Sequence, residues 1–296
     1  MRDSSVHRSI ALLGGVFLVG LVSNLVGCTN LDEVAALPKL ADGAKTTLPL
    51  LAKDLKGSCD RQNFYAIPTD NPAAVLPCSS GVSYAKLGSN MIIEQSILLA
   101  YFDALGKLAG GSTSGFSKSV SGIDANLKVA GLNTDQQKLA SSAGKLAAAI
   151  AGMITDGYKR KKLGEIIRAA DDDVATLANG LADQIDSDSK ASYTEELEAE
   201  QTSLTTYYGI PIAQANDPLG KLSAYKDWQA AREMLQNRRD AAKAYRKLMI
   251  SLRDAHSKLK KEFVNNRFNA KAIAKALGPY LSDIESSIGD LQKDLR

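Results

Sequence analysis

Catalysis would need nucleophiles, bases or metal ligands at workable spacings, and this chain offers few. Ser142 to Lys145 and Ser187 to Lys190 follow S-x-x-K, the pattern in which a lysine serves the serine of acyl-transferases acting on peptidoglycan. The companion K-T-G and S-D-N elements are missing, and Lys45, Thr46 and Thr47 are the nearest approach. Gly-Lys pairs at 106, 144 and 220 are each followed by leucine, where a phosphate-binding loop places Ser or Thr on its metal. Asp171, Asp172 and Asp173 are consecutive on a helical stretch and point in three directions, a solvated face rather than a cation loop. A histidine-based triad or metal site would rest on His256 alone, because His7 precedes the first apolar run. No catalytic residue, metal site, cofactor or small-molecule ligand follows from this inventory, and the expectation is a non-enzyme.

Cys59 and Cys78 enclose 18 residues rich in Pro and turn formers, "DRQNFYAIPTDNPAAVLP". They read as a disulfide staple, worth about 3 kcal/mol on the loop-entropy model in an oxidising compartment. The rival readings are metal ligation, which lacks further ligands and any C-x-x-C spacing, and a reactive thiol.

The third cysteine, Cys28, ends the long apolar run. Arg2 and Arg8 precede Ile10 to Val26, which at 17 residues with Gly14, Gly15, Gly20, Ser23 and Asn24 inside falls short of a spanning helix. A cleaved export signal over residues 1–27 fits better than an uncleaved anchor. Leu25, Val26, Gly27 and Cys28 then resemble the lipobox of bacterial lipoproteins. The resemblance implies that Cys28 becomes the new N-terminus, with diacylglycerol on its thiol and an acyl chain such as palmitate on its amine. Two or three chains, at about 0.8 kcal/mol per buried CH₂, make a stable anchor. Thr29 stands where an Asp would suggest inner-membrane retention in enterobacterial lipoproteins, which implies outer-membrane sorting if the source is Gram-negative. The resemblance covers residues 1–28 and says nothing of the rest.

A chain of 296 residues with 45% apolar, 6% aromatic and 8 prolines favours helices over short strands. The first 27 residues carry one of its three net positive charges, and a remainder so near balance predicts no nucleic-acid partner. Tyr84, Met91, Leu98 and Leu105 recur every seven residues, with Leu87, Tyr101 and Leu108 on the second seam. "GGSTSG" at 110–115 reads as a flexible link, and Phe116 to Leu127 as a short helix. Thr134 and Gln137 form a capping box opening a long helix through "LAAAIAGMI" and on to Ile185, with Gly157 and Gly164 as kink points. A helix over 192–208 should end at Gly209 and Pro211. Asp217 and Pro218 start the longest element, in which Trp228, Leu235, Ala242, Met249, His256 and Phe263 form one seam and Ala231, Arg238, Tyr245, Leu252 and Leu259 the other. A final helix carries Ile273 and Leu277, pauses at Gly278 and Pro279, and resumes to Leu295. The expected fold is all-α, an elongated antiparallel helical bundle with coiled-coil-like long helices. Its organisation would be a lipidated tether over 28–36, N-terminal helices over 37–109 with the disulfide loop 59–78, the link, and a long-helix bundle over 116–296.

Glu94, Arg238 and His256 interrupt these apolar seams, where an unpaired charge is costly and a paired one fixes register. Glu94 and Arg238 should pair across helices or sit where a seam opens, and His256 should be a satisfied core histidine or, if accessible, a pH-sensitive one. Lys159, Arg160, Lys161 and Lys162, with Lys258, Lys260 and Lys261, could face anionic lipid, although acidic neighbours favour a solvated face. The expectation is a lipid-anchored cell-envelope protein acting as scaffold, adaptor or spacer through a protein partner. The alternatives are a membrane-active, pore-forming-like helical protein with "LAAAIAGMI" as its insertion segment, and an immunity lipoprotein that binds a toxin.

Overall fold

In the computed structural model, the residues described are 32–65, 84–109, 134–155, 160–186, 192–265 and 270–295, and every regular element among them is a helix. In chain order these are α1 (Asp32–Tyr65), α2 (Tyr84–Ala109), α3 (Thr134–Thr155), α4 (Arg160–Ile185), α5 (Tyr193–Gln214), α6 (Pro218–Asn265) and α7 (Ala270–Asp294). The all-α expectation holds. The proposed link at 110–115 and short helix at 116–127 lie outside the described residues.

The apolar stripes explain the packing. Leu48, Leu51 and Leu55 of α1, Met91, Leu98 and Leu105 of α2, Val174 and Leu181 of α4, Met249 and Leu252 of α6 and Ile284 and Leu291 of α7 are all buried in one core. Contacts close in a ring, α1 to α2 to α4 to α6 to α7 and back to α1. Helix α3 packs outside the ring on α2 and α4, and α5 packs on α1 and α6. Cross-helix pairs give the directions. Lys45 with Asp103 and Ala52 with Gly88 set α1 antiparallel to α2, and Arg246 with Asp186 and His256 with Asp171 set α4 antiparallel to α6, whereas Gly43 with Ile288 and Thr47 with Gln292 set α7 parallel to α1.

Helix α6, with 48 residues, is roughly 72 Å long at 1.5 Å per residue. Its start is fixed as expected: Asp217 Oδ1 accepts from the Leu219 and Gly220 amides at 2.9 and 2.8 Å, and Pro218 fills the first position, where no donor is needed. Ser192 caps α5 by accepting from the Glu195 amide at 3.3 Å.

Four expectations need correction. The segment 28–36 is not all tether, because α1 begins at Asp32 and already buries Val34. The stretch from 134 to 185 is a hairpin, not one helix: Leu139 lies against Gly180, and Lys145 reaches Asp173 at 3.5 Å. The spacing of three and four persisted because both arms turn their stripes to the same core. Helix α5 continues past Gly209 and Pro211 to Gln214, and α7 runs through Gly278 and Pro279. A proline removes one helical donor, but Pro211 in the last turn of α5 and Pro279 in the middle of α7 are both exposed, so water can satisfy the freed carbonyl. The Ala215 amide still closes α5 on the Pro211 carbonyl at 2.9 Å.

Helices α1 and α2 meet so closely at Gly88 that a Cβ there would lie 2.5 Å from the Ala52 carbonyl oxygen. Helix propensity would gain about 1 kcal/mol from Gly88→Ala, while forcing two packed backbones apart costs about 1–3 kcal/mol. The variant should therefore lower the denaturant midpoint with an unchanged slope, and a raised midpoint would refute this close approach.

Candidate functional site

The residues with chemical potential lie on three levels along α6. At the first, His256 is fully buried; its Nε2 is 2.8 Å from the Tyr101 hydroxyl and its Nδ1 is 3.0 Å from Asp171 Oδ1. Lys260 donates to the other carboxylate oxygen at 2.7 Å. Burial holds the histidine below its usual pKa, against the pull of Asp171, so the neutral ring carries one proton. A carboxylate only accepts, which places that proton on Nδ1 and leaves Nε2 to accept from Tyr101. Asp171 is held at about 2, chiefly by its bond to His256 and against burial, with Lys260 adding to the effect. A tyrosine, a histidine and an aspartate in line resemble a proton relay. Tyr101 and His256 are sealed, however, and the described grooves are lined by other residues, so this chain of bonds ties α2, α6 and α4 together. His256 is thus a satisfied core histidine.

At the second level Gln95 donates to the Tyr245 hydroxyl at 2.8 Å, joining α2 to α6, and Gln184 of α4 donates to Glu94 at 2.8 Å. Glu94 therefore does bond across helices, to a neutral amide and not to Arg238. Burial pushes its pKa up to about 7, with the Gln184 bond opposing. Gln95 Oε1, Gln184 Oε1 and Asn90 Nδ2 have no hydrogen-bond partner among the described residues.

The third level is ionic. Glu200 of α5 is fully buried and takes Arg61 Nε of α1 at 3.1 Å and Arg238 Nη1 of α6 at 2.6 Å. Asp54 of α1 accepts from Arg61 at 2.7 Å, lies 3.3 Å from Arg238 Nε and also accepts from Tyr193. Gln62 donates to Glu196 beside them. Two guanidiniums and two carboxylates satisfy one another where α1, α5 and α6 meet, the geometry in which a buried ion cluster specifies register. Arg238 is paired as expected.

Beyond this cluster α5 and α6 continue as a two-helix arm. Most side chains from Thr205 to Ala230 are exposed or half-buried, with Leu219 78% exposed and Ile210, Leu222 and Tyr225 each more than two-fifths exposed. Tyr225 stacks with Trp228 at 5.5 Å, and Arg232 lies over that indole at 5.3 Å. Tyr65 and the 66% exposed Phe64, at the end of α1, contact Tyr207 at the arm's base.

The remaining candidates are dispersed. Cys28, Cys78, Lys159, Ser187 and Lys190 lie outside the described residues, and so do the side chains of Cys59, Arg160, Lys161 and Lys162. Ser142 is buried in α3 while Lys145 is exposed and points to Asp173, so this S-x-x-K pair does not meet. Asp171 belongs to the histidine level and is not a free solvated residue, which corrects that expectation; its neighbours on the helix do not join it. Among the described residues no group of three or more His, Cys, Asp or Glu could hold a metal ion. Sequence reasoning missed Asp54, Arg61 and Glu200, although Glu196 and Glu200 one turn apart on the inner face of α5 were a signal. Comparison with protein-family models, curated proteins and solved structures found no match.

Removing Glu200 leaves Arg61 and Arg238 sharing Asp54 alone and should cost about 2–3 kcal/mol in Glu200→Ala, read by chemical denaturation. Glu94 has the reverse sign. Its folded pKa of about 7 exceeds its ordinary 4.5, so the stability its protonated form contributes is complete below pH 4.5 and lost as pH rises through 7. Glu94→Gln should abolish that slope and raise stability at pH 8 by about 3 kcal/mol. An unaltered pH profile would show that Glu94 is not held neutral by burial.

Proposed function

We propose that the protein is a lipid-anchored component of the cell envelope that works without catalysis, as a helical adaptor presenting the α5–α6 arm to another protein. The observation that carries this reading is the arm itself. It spends two helices on a surface that seals no core, yet displays Leu219, Leu222, Tyr225 and Ile210, with the half-buried Trp228 beside Tyr225. Exposed apolar and aromatic side chains grouped on one projecting element are what an interaction surface requires.

Direction supports an adaptor over a membrane-active protein. Helix α1 begins four residues after Cys28 and runs for 34 residues, roughly 50 Å, before reaching Phe64 and Tyr65 at the base of the arm. An acyl anchor at Cys28 would thus hold the start of α1 at the bilayer and the arm at the far end of an elongated bundle. Among the described residues no helix is long and apolar enough to cross a membrane. The same reading makes an outer-membrane anchor carrying diacylglycerol the means of attachment, with a Cys59–Cys78 disulfide stapling the segment that follows α1.

Two measurements test it. A photo-crosslinker at Leu222 in intact cells should capture one reproducible envelope protein, whereas lipid adducts alone would favour membrane insertion. Cys28→Ser should move the protein from the membrane to the soluble fraction; retention in the membrane would contradict the lipid anchor.

A further inference from the structure

The middle level, around Glu94, is the least satisfied part of the core. Four buried side-chain atoms lack a hydrogen-bond partner among the described residues, and three of them lie here: Asn90 Nδ2, Gln95 Oε1 and Gln184 Oε1. Asn90 is one turn before Glu94 on the same face of α2, and both are buried. On the levels to either side, charge meets charge: Arg238 meets Glu200, and Asp171 meets Lys260. Glu94 instead takes a bond at 2.8 Å from the neutral amide of Gln184.

Among the described residues no charged side chain offsets Glu94. On α2 itself, Lys86 and the Asp103–Lys107 pair are more than two turns away. On α1, Lys45 is exposed and engaged with Asp42 and Asp103, Lys53 is exposed, and Lys56 lies over Gly88. Lys138 of α3 is exposed, as are Asp183 and Asp186 of α4, and Asp186 turns to Arg246 of α6. Tyr245 of α6 is buried near Glu94 and is held in its protonated form by burial. A neutral acid suits these surroundings. After a half-turn of the amide it can donate to Gln184 Oε1, whereas a carboxylate takes the amide N–H and leaves that oxygen buried without a partner.

The end of α4 is the element free to respond. Helix α2 is fixed to α1 by the close approach at Gly88, and the first half of α4 is fixed to α6 through Asp171 and His256. The last turn of α4 is held less firmly. Ile185 is buried and its carbonyl accepts from Thr194 at 2.8 Å, but Asp186 is exposed and lies 3.8 Å from Arg246. Helix ends open at low free energy, and water entering here reaches three atoms that gain hydrogen bonds by it.

We propose that Glu94 is a proton-operated latch: as a neutral acid it holds the last turn of α4 against α2, and as a carboxylate it releases that turn to water. The latch is local. The stability slope of Glu94 would arise even if the carboxyl were freed only by unfolding of the whole chain, whereas the latch frees it by opening residues 181 to 186 alone. With a pKa of about 7 when closed and 4.5 when open, the opening constant rises about fifty- to a hundredfold from pH 5 to pH 8.

Hydrogen exchange of the full chain in low urea separates the two cases, because the urea dependence of an opening reports the surface it exposes. Residues 181 to 186 should exchange faster than residues 163 to 174, at a rate that urea barely changes. After correction for intrinsic exchange, that rate should rise about fifty- to a hundredfold from pH 5 to pH 8. Residues 163 to 174 should show the full urea dependence of global unfolding. Glu94→Gln should keep the urea-insensitive opening and lose its pH dependence. The proposal is overturned if residues 181 to 186 share the urea dependence of 163 to 174, since Glu94 is then freed only by global unfolding. It is overturned equally by a urea-insensitive opening that is the same at both pH values, or by a pH dependence that persists in the folded variant. The first two outcomes are read from the native chain and do not depend on the variant.

Discussion

Three polar side chains on the inner face of α6 cannot be left unpaired, and meeting their demands arranges the molecule. Arg238, Tyr245 and His256 follow one another down a single helix, and each is satisfied from across the core: Arg238 by Glu200 and Asp54, Tyr245 by Gln95, His256 by Tyr101 and Asp171. Apolar burial supplies most of the drive to associate, but leucines at seam positions would tolerate a shift of one turn with modest loss. A one-turn shift of α4 would separate His256 from Asp171, and a shift of α5 would leave Glu200 buried beside no cation. Each mismatch costs several kcal/mol, more than the apolar seam discriminates, so the polar levels set register.

How much of this was legible follows from the same distinction. Helix α6 was readable at both seams and at its Asp217–Pro218 start, because cap and heptad signals are local. Glu94, Arg238 and His256 stood out as polar interruptions for the same reason. Their partners were not readable, since Asp171 looked like one of three solvated aspartates until α4 turned it toward α6. The α3–α4 hairpin was hidden by a stripe that continues in phase on both arms. Helix α1 was expected only as part of a helical stretch over 37–109, without its own bounds, and it runs from Asp32 to Tyr65 with Pro38 and Pro49 inside it.

Function follows from which polar groups are sealed and which are not. The Tyr101–His256–Asp171 line has the components of proton-transfer machinery, but Tyr101 and His256 are sealed among the described residues, whereas the arm faces outward. Chemistry-bearing residues are thus used for architecture, and the accessible surfaces offer shape, aromatic area and charge. That division gives α6 two roles along one continuous helix: a locked spine from Leu235 to Leu259 and an arm from Pro218 to Ala230.

Hydrogen exchange resolved along α6 tests this division most directly. The account predicts that amides from 235 to 259 exchange only with global unfolding, while those from 218 to 230 exchange orders of magnitude faster. Uniform protection along the whole helix, or a spine that exchanges as fast as the arm, would contradict it.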